Sequence, residues 1–296
     1  MLDRRQLRSG VKLIIEPDDG IEPVLRAIKS ARESIDIAIF RCEIRALERE
    51  LAAAVGRGVA VRALVAHTNR GGDIALRALE LRLLAGGITV TRTDDDLVRY
   101  HGKLLVIDRA SLYVLGFNFT SSDLKSRSFG VRTKNLTVLR DVLALFEADR
   151  TRSAFRPTTP DLVVSPQNAR QRLSRFLRKT RVSLEIYDPG ITDDGMIRMM
   201  KDLAPKRVRI RILGKLEKKW QGEPFDVRPF PGRLHVRAIV RDGRRAFVGS
   251  QSLRKLELDE RREVGLIVRA APIVKEIQRV FEDDWAKAKK TKKRDP

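Results

Sequence analysis

Cysteine is almost missing from this chain: Cys42 is the only one among 296 residues. No intrachain disulfide can form, and a reducing compartment fits that usage. Cys42 follows an apolar run of strand length and reads as a small half-buried residue, not a reactive thiol. Aromatic residues reach only 5% against 42% hydrophobic, so the core must be mainly aliphatic. No apolar run approaches the ~18–20 residues that a membrane span needs. The opening, Met1-Leu2-Asp3-Arg4-Arg5, leads into no apolar signal-peptide core. The expectation is a soluble, cytoplasmic protein without a cleaved leader, in which peripheral contact with an anionic membrane stays open. Histidine is scarce too: there are three, so any pattern in their placement carries information.

What the chain has in excess is positive charge. Lys and Arg total 61 against 39 Asp and Glu, a formal net charge of +22. Such an excess attracts polyanions: nucleic acid, anionic lipid surfaces or phosphorylated substrates. It bears on partners and leaves the fold open. The end, residues 287–296, is a lysine-rich tail that reads as a frayed helix end, with a polyanion contact as the sharper alternative.

Hydrophobic periodicity shows one plan twice. Val24 to Ile28 has helical spacing, Ser34 to Phe40 is strand-like, Ala46 to Val55 is helical, and Val59 to Val65 is a β-branched strand. Leu173 to Leu177, Ser183 to Tyr187, Met196 to Leu203 and Val208 to Leu213 repeat that order. Strand, helix, strand in this rhythm implies βαβ units and an α/β fold. Ser34 aligns with Ser183 (183 − 34 = 149) and Val59 with Val208 (208 − 59 = 149). A fixed offset across two strands and a helix argues for duplication. Further on the offset drops: His101 aligns with His235 (235 − 101 = 134) and Asp108 with Asp242 (242 − 108 = 134). The first copy carries the additional helical stretch Ile74 to Leu84 where the second is shorter. A proline-rich link, Phe155 to Pro166, separates the copies. The expected organisation is an N-terminal repeat over 1–156, a C-terminal repeat over 157–286 and the basic tail.

Two of the three histidines hold equivalent places. Copy one reads His101-Gly102-Lys103-Leu104-Leu105-Val106-Ile107-Asp108, and copy two His235-Val236-Arg237-Ala238-Ile239-Val240-Arg241-Asp242. Read as strands, both segments put the imidazole and the cation two residues on along the same face. A cation binds non-bridging phosphate oxygens while an imidazole attacks phosphorus or moves a proton. Asn118 lies ten residues after Asp108, and Ser252 ten after Asp242. Both can hydrogen-bond a phosphoryl oxygen. Gly116 and Gly249 stand beside them, where glycine would let backbone approach a ligand.

The paired pattern, HxKxxxxD with a GxN-like turn behind it, resembles the phospholipase D superfamily over nearly the whole chain. Copy one matches with His101, Lys103, Asp108 and Gly116-Phe117-Asn118. Copy two matches with His235, Asp242 and Gly249-Ser250, and departs with Arg237 for lysine and Ser252 for asparagine. The resemblance implies a duplicated α/β/α sandwich with one active site at the interface of the halves. It implies a covalent phosphohistidine on one histidine, proton transfer by the other, phosphate held by Lys103, Arg237, Asn118 and Ser252, and supporting aspartates at 108 and 242. It also implies an acidic residue that orients an imidazole; Glu263 fills that position, and its counterpart (263 − 134 = 129) is Phe129, so the site is asymmetric. No metal and no cofactor is implied.

Other polar clusters read blandly. His67 has no repeat partner and takes no catalytic role. Asp94-Asp95-Asp96 reads as a solvated loop. Thr120-Ser121-Ser122 and the Gly249 to Ser252 hydroxyls show no triad pattern. Trp220 and Trp285 read as packing residues. The substrate is expected to be a phosphodiester, a phospholipid ahead of nucleic acid, with hydrolysis or phosphatidyl transfer of the cardiolipin synthase kind as the reaction. A nuclease is the alternative, and a non-catalytic phosphate-binding protein with a degenerate second copy is the third reading.

Overall fold

The computed structural model describes residues 10–69, 73–220 and 222–288. The described residues form sixteen strands and nine α-helices, numbered in chain order, with α4 (Ser121–Leu124) and α8 (Lys255–Asp259) the two shortest helices. The first sheet takes β1 (Val11–Glu16), β2 (Ser34–Ile39), β3 (Ala60–Val65), β4 (Thr89–Arg92), β6 (Leu104–Ile107), β7 (Ser111–Leu115) and β8 (Ser128–Thr133), in the order β1-β8-β7-β6-β2-β3-β4. The second takes β9 (Leu162–Val164), β10 (Ser183–Ile191), β11 (Arg209–Leu216), β12 (Asp226–Arg228), β13 (Arg237–Arg241), β14 (Arg245–Gly249) and β16 (Val264–Val268), in the order β12-β11-β10-β13-β14-β16-β9. The two orders are the same plan. In each, a parallel trio at one edge meets an antiparallel set at the other. The last strand of the duplicated plan pairs antiparallel with the strand that opens each half. The proline-rich link therefore contains a short strand, β9, that its composition concealed.

Helices cover both faces of each sheet, because central strands such as β2, β6, β7, β10 and β14 are buried on both sides. On the outer face of the first sheet lie α1 (Glu22–Lys29), α2 (Arg45–Gly56) and α3 (Ile74–Ala85). They seat Val24, Ile28, Leu47, Leu51, Leu79 and Leu83 against β2 and β3. On the outer face of the second lie α6 (Ala169–Arg178) and α7 (Asp194–Lys201), with Leu173, Phe176, Met196 and Met200 inward. The inner faces of both sheets share one hydrophobic cluster with α5 (Leu136–Thr151) and α9 (Ala271–Lys287). Each half is thus an α/β/α sandwich, and the halves are joined through a common core. No described helix is long and apolar enough to cross a membrane. The tail beyond residue 288 lies outside the described residues.

Two reciprocal contacts hold the halves in register. The main-chain N–H of His101 donates to Arg262 O at 2.7 Å, and that of His235 donates to Arg127 O at 3.0 Å. Around the first, β5 (Arg99–Tyr100) pairs in parallel with β15 (Arg261–Arg262). Behind each carbonyl, the same arginine reaches the other half's inner helix: Arg262 meets Asp149 at 2.9 Å and Arg127 meets Asp284 at 2.8 Å. Both histidines are therefore placed by the interface itself.

Cys42 is half-buried and bridges to Phe119, and burial pushes its thiol up to about 12, in keeping with a structural residue. Trp285 stacks on Phe281 with ring centroids 5.5 Å apart, and Trp220 donates its indole N–H to Asp194 at 3.0 Å.

Candidate active site

The strand assignment around both histidines needs correction: in copy two β13 begins at Arg237, so His235 and Val236 precede it. Regular pairing in copy one begins at Leu104, so His101, Gly102 and Lys103 precede β6 instead of lying in it. The reason is the contact just described: His101 leaves its own sheet to pair with Arg262 of the other half. The chain stays extended, because Leu115 N still donates to Lys103 O at 3.0 Å. The alternation predicted for His101 and Lys103 survives. Both side chains meet Phe40: the His101 ring edge-on at 4.5 Å between centroids, and Lys103 Nζ at 5.3 Å from the ring centroid.

His101 is 8% exposed and Lys103 1%. Nδ1 of His101 lies 2.8 Å from Glu263 Oε2, a carboxylate supplied by the second half. With the proton on Nδ1, the imidazole donates to Glu263 and Nε2 carries the lone pair. Burial, then the charges of Lys103 and Arg237, holds the His101 imidazole well below its ordinary range, so it is neutral at physiological pH. Burial also lowers the Lys103 ammonium to about 7, against the pull of Glu263, and raises the Glu263 carboxyl against the pull of Lys103. Among the described residues, Lys103 Nζ is buried without a hydrogen-bond partner, as is Asn118 Oδ1. Groups left so are costly unless a ligand completes them.

The second histidine closes on the same cluster. His235 is held low by burial, then by Arg237, Lys103 and His101, so the two repeat segments feel one another's charge. Arg237 donates Nε to Ser252 Oγ at 3.2 Å and Nη1 to the His235 carbonyl at 2.9 Å. A guanidinium braced in this way has a fixed orientation that a lysine would lack. Asn118 is fixed by Asp123, whose Oδ2 accepts from the Asn118 main-chain N–H at 3.0 Å and from Nδ2 at 2.6 Å. Glu257 performs the first of these tasks in copy two, accepting from Ser252 N at 2.6 Å.

His101, Lys103, Asn118, His235, Arg237, Ser252 and Glu263 therefore come together. Asp108 and Asp242, the supporting aspartates of the motif, do not join them. Each lies at the far end of its strand, in a hairpin turn. The Asp108 carboxylate accepts from the main-chain N–H groups of Arg32, Glu33 and Ser34, with the shortest contact 2.8 Å. Asp242 repeats this on Arg181, Val182 and Ser183, with the shortest contact 2.7 Å. Their φ values, 51° and 55°, fall in the left-handed region, which aspartate tolerates better than most residues. Burial acts to raise the Asp108 carboxyl, and the three donors outweigh it, leaving it below the ordinary range. These aspartates tie the start of β2 and of β10 to the hairpin of the same half.

The glycines also need correcting. A Cβ on Gly116 would sit 2.8 Å from Phe129 O, and one on Gly249 would sit 2.6 Å from Gly265 Cα. What approaches these glycines is the protein's own backbone, not a ligand. Four contributors escaped the sequence reading: Phe40, Asp123, Arg233 and Glu257. Asp123 and Glu257 carried a usable signal, since they keep the histidines' offset (257 − 123 = 134). Phe40 carried none, because its partner in copy two (40 + 149 = 189) is Pro189.

The duplicated sheets, the shared inner core and one histidine from each half at the interface define a phospholipase D-type fold. The family described as cardiolipin synthase, PLD-like domain, matches residues 24–150 and again 173–285. The chain belongs to that family, and through it to the phospholipase D superfamily. Solved structures share the fold. A polyphosphate kinase from Porphyromonas gingivalis superposes with a TM-score of 0.78 over 95% of this chain at 17% identity. This chain spans only about half (49%) of that kinase. A phosphatidylserine synthase from Haemophilus influenzae Rd KW20 gives 0.76 over 95% of this chain and 87% of its own, at 10% identity. A phospholipase D family member, Nuc, from Salmonella typhimurium aligns with half the chain (50%, against 98% of its own) at 22% identity and a TM-score of 0.43. A search of curated protein sequences found no match.

Proposed function

We propose that this protein cleaves and re-forms phosphodiester bonds through a covalent phosphohistidine, with His101 as nucleophile and His235 as proton carrier. The observation that carries the reading is the 2.8 Å contact between His101 Nδ1 and Glu263, made across the interface beside a buried, unpartnered Lys103 Nζ. Glu263 fixes the tautomer that bares Nε2 and stabilises the cation formed when that nitrogen bonds phosphorus. Lys103, Arg237, Asn118 and Ser252 hold the non-bridging oxygens. In the first step the N–P bond forms, the P–O bond to the departing alcohol breaks, and His235 gives that oxygen its proton. In the second, His235 takes a proton from water or an acceptor alcohol, whose oxygen displaces His101. The phosphate anion offsets the charges of Lys103 and Arg237, which together with burial keep His235 neutral in the empty site. Binding thus favours the protonated acid that the first step needs.

A phospholipid is the preferred substrate class. Membership of a family described by cardiolipin synthase supports it, and a net charge of +22 suits an anionic lipid surface. The test is turnover of bis(p-nitrophenyl) phosphate in EDTA by wild type, His101→Ala and His235→Ala, followed by anionic phospholipid vesicles and by DNA. Activity lost in both variants and directed at lipid supports the reading. Equal activity in the variants overturns the mechanism, and cleavage of DNA without lipid turnover reassigns the substrate.

A further inference from the structure

The duplication leaves the two histidines unequally served. Glu263 orients His101, but the place that should supply the same carboxylate to His235 is Phe129, fully buried and edge-on to Tyr187 with centroids 5.7 Å apart. His235 Nδ1 is nevertheless buried, and among the described residues it has no hydrogen-bond partner. The nearest acidic oxygen is Asp123 Oδ2, at 3.7 Å, from the other half.

We infer that Asp123 is the positioning residue of His235, a substitute for the carboxylate missing at position 129; this rests on the phosphohistidine reading above. Three features support it. Asp123 is 1% exposed, so its carboxylate is held inside the site. Its second oxygen accepts from Arg233 Nη2 at 2.8 Å, and Arg233 is two residues before His235, so the carboxylate is drawn across the interface onto that segment. Glu257, at the equivalent position of copy two, instead turns to cations of its own half, with Arg261 at 3.6 Å and Arg237 at 3.9 Å. The same repeat position thus serves two purposes.

The looser geometry suits the chemistry. The Glu263 pair is already closed at 2.8 Å and keeps His101 in one tautomer, as a nucleophile requires. The Asp123 pair, at 3.7 Å, gains its full attraction when His235 carries a second proton, which is the state of a general acid. Asp123 also anchors Asn118, so removing it affects phosphate binding as well, and the test must separate these effects.

Leaving-group dependence separates them. A p-nitrophenolate departs without a proton, whereas an alkoxide needs one. In Asp123→Asn, the loss in the first-turnover burst from bis(p-nitrophenyl) phosphate carries the effect on Asn118 alone, and the loss on a dialkyl phosphodiester is expected to exceed it by about 100-fold. Equal losses on both substrates, as damage to Asn118 alone would give, overturn the inference, and so does no loss on either. Arg233→Ala, at the half-exposed rim, is the second variant should Asp123→Asn fail to fold. It is expected to lose alkyl cleavage selectively, and a uniform effect there overturns the inference equally. Wild type inactive on both substrates defeats the phosphohistidine reading, and this inference with it. Active wild type with no leaving-group selectivity defeats the inference alone.

Discussion

His101 presents Nδ1 to Glu263 Oε2 at 2.8 Å, although 162 positions separate the two in the chain. The pair exists only because the halves meet, so the contact reports their assembly. Glu263→Gln keeps the shape and removes the negative charge that, in the proposed mechanism, steadies the phosphorylated imidazole. The expected result is a fall in kcat of about 100-fold with KM little changed, measured on bis(p-nitrophenyl) phosphate. An unchanged kcat would show that Glu263 serves packing alone.

Lys103 sets a pH dependence. Burial lowers its ammonium to about 7, so below that pH it is charged in the free enzyme and above it is not. A neutral amine cannot hold a phosphodiester anion. kcat/KM is therefore expected to fall about tenfold per pH unit above about 7, while kcat holds to higher pH because the bound anion favours the ammonium. Lys103→Arg, permanently charged, should flatten the decline. A decline that persists unchanged in that variant would belong to another group.

The aspartates of the repeated motif make a contrasting case. Asp108 and Asp242 each cap three main-chain N–H groups far from the imidazoles. Changing either to alanine should cost about 1.5–3 kcal/mol of stability, the worth of charged hydrogen bonds lost at one site. Thermal unfolding should register that cost, and kcat per folded molecule should stay the same. A folded Asp108→Ala protein with kcat reduced 100-fold would place the residue among the reacting groups.

These cases show what a single sequence reveals. The duplication was visible because hydrophobic periodicity and a fixed offset are properties of the chain alone. His101 and Lys103 were visible because their spacing matches a repeated pattern, and Glu263 because the family resemblance implies an acidic residue at its position. Asp123 was hidden: its meaning comes from what Phe129 fails to supply and from Arg233 across the interface. The break before Leu104 was hidden likewise, since an apolar alternation cannot say which half His101 will pair with. The strand β9 lay concealed among prolines, because three apolar residues make a strand only when an edge awaits them.

The join between the halves offers the last test. Arg262 is 7% exposed and Asp149 7%, and the guanidinium also donates to Ser165 O at 2.9 Å and to Gln167. Removing one partner of such a buried pair costs about 3–5 kcal/mol, because the other charge is left in a medium that cannot solvate it. Burial already raises the Asp149 carboxyl to about 6, with Arg262 opposing the rise. In Arg262→Met that opposition is gone and the carboxyl moves higher still. A raised folded-state value means stability present at low pH and lost as pH rises, so the variant's deficit in Tm should be smaller at pH 5 than at pH 8. Adding Asp149→Asn should recover much of the loss at pH 8 and little at pH 5. A deficit independent of pH, or no recovery in the double variant, would mean that Arg262 stabilises the interface through its main-chain and Gln167 contacts and not through Asp149.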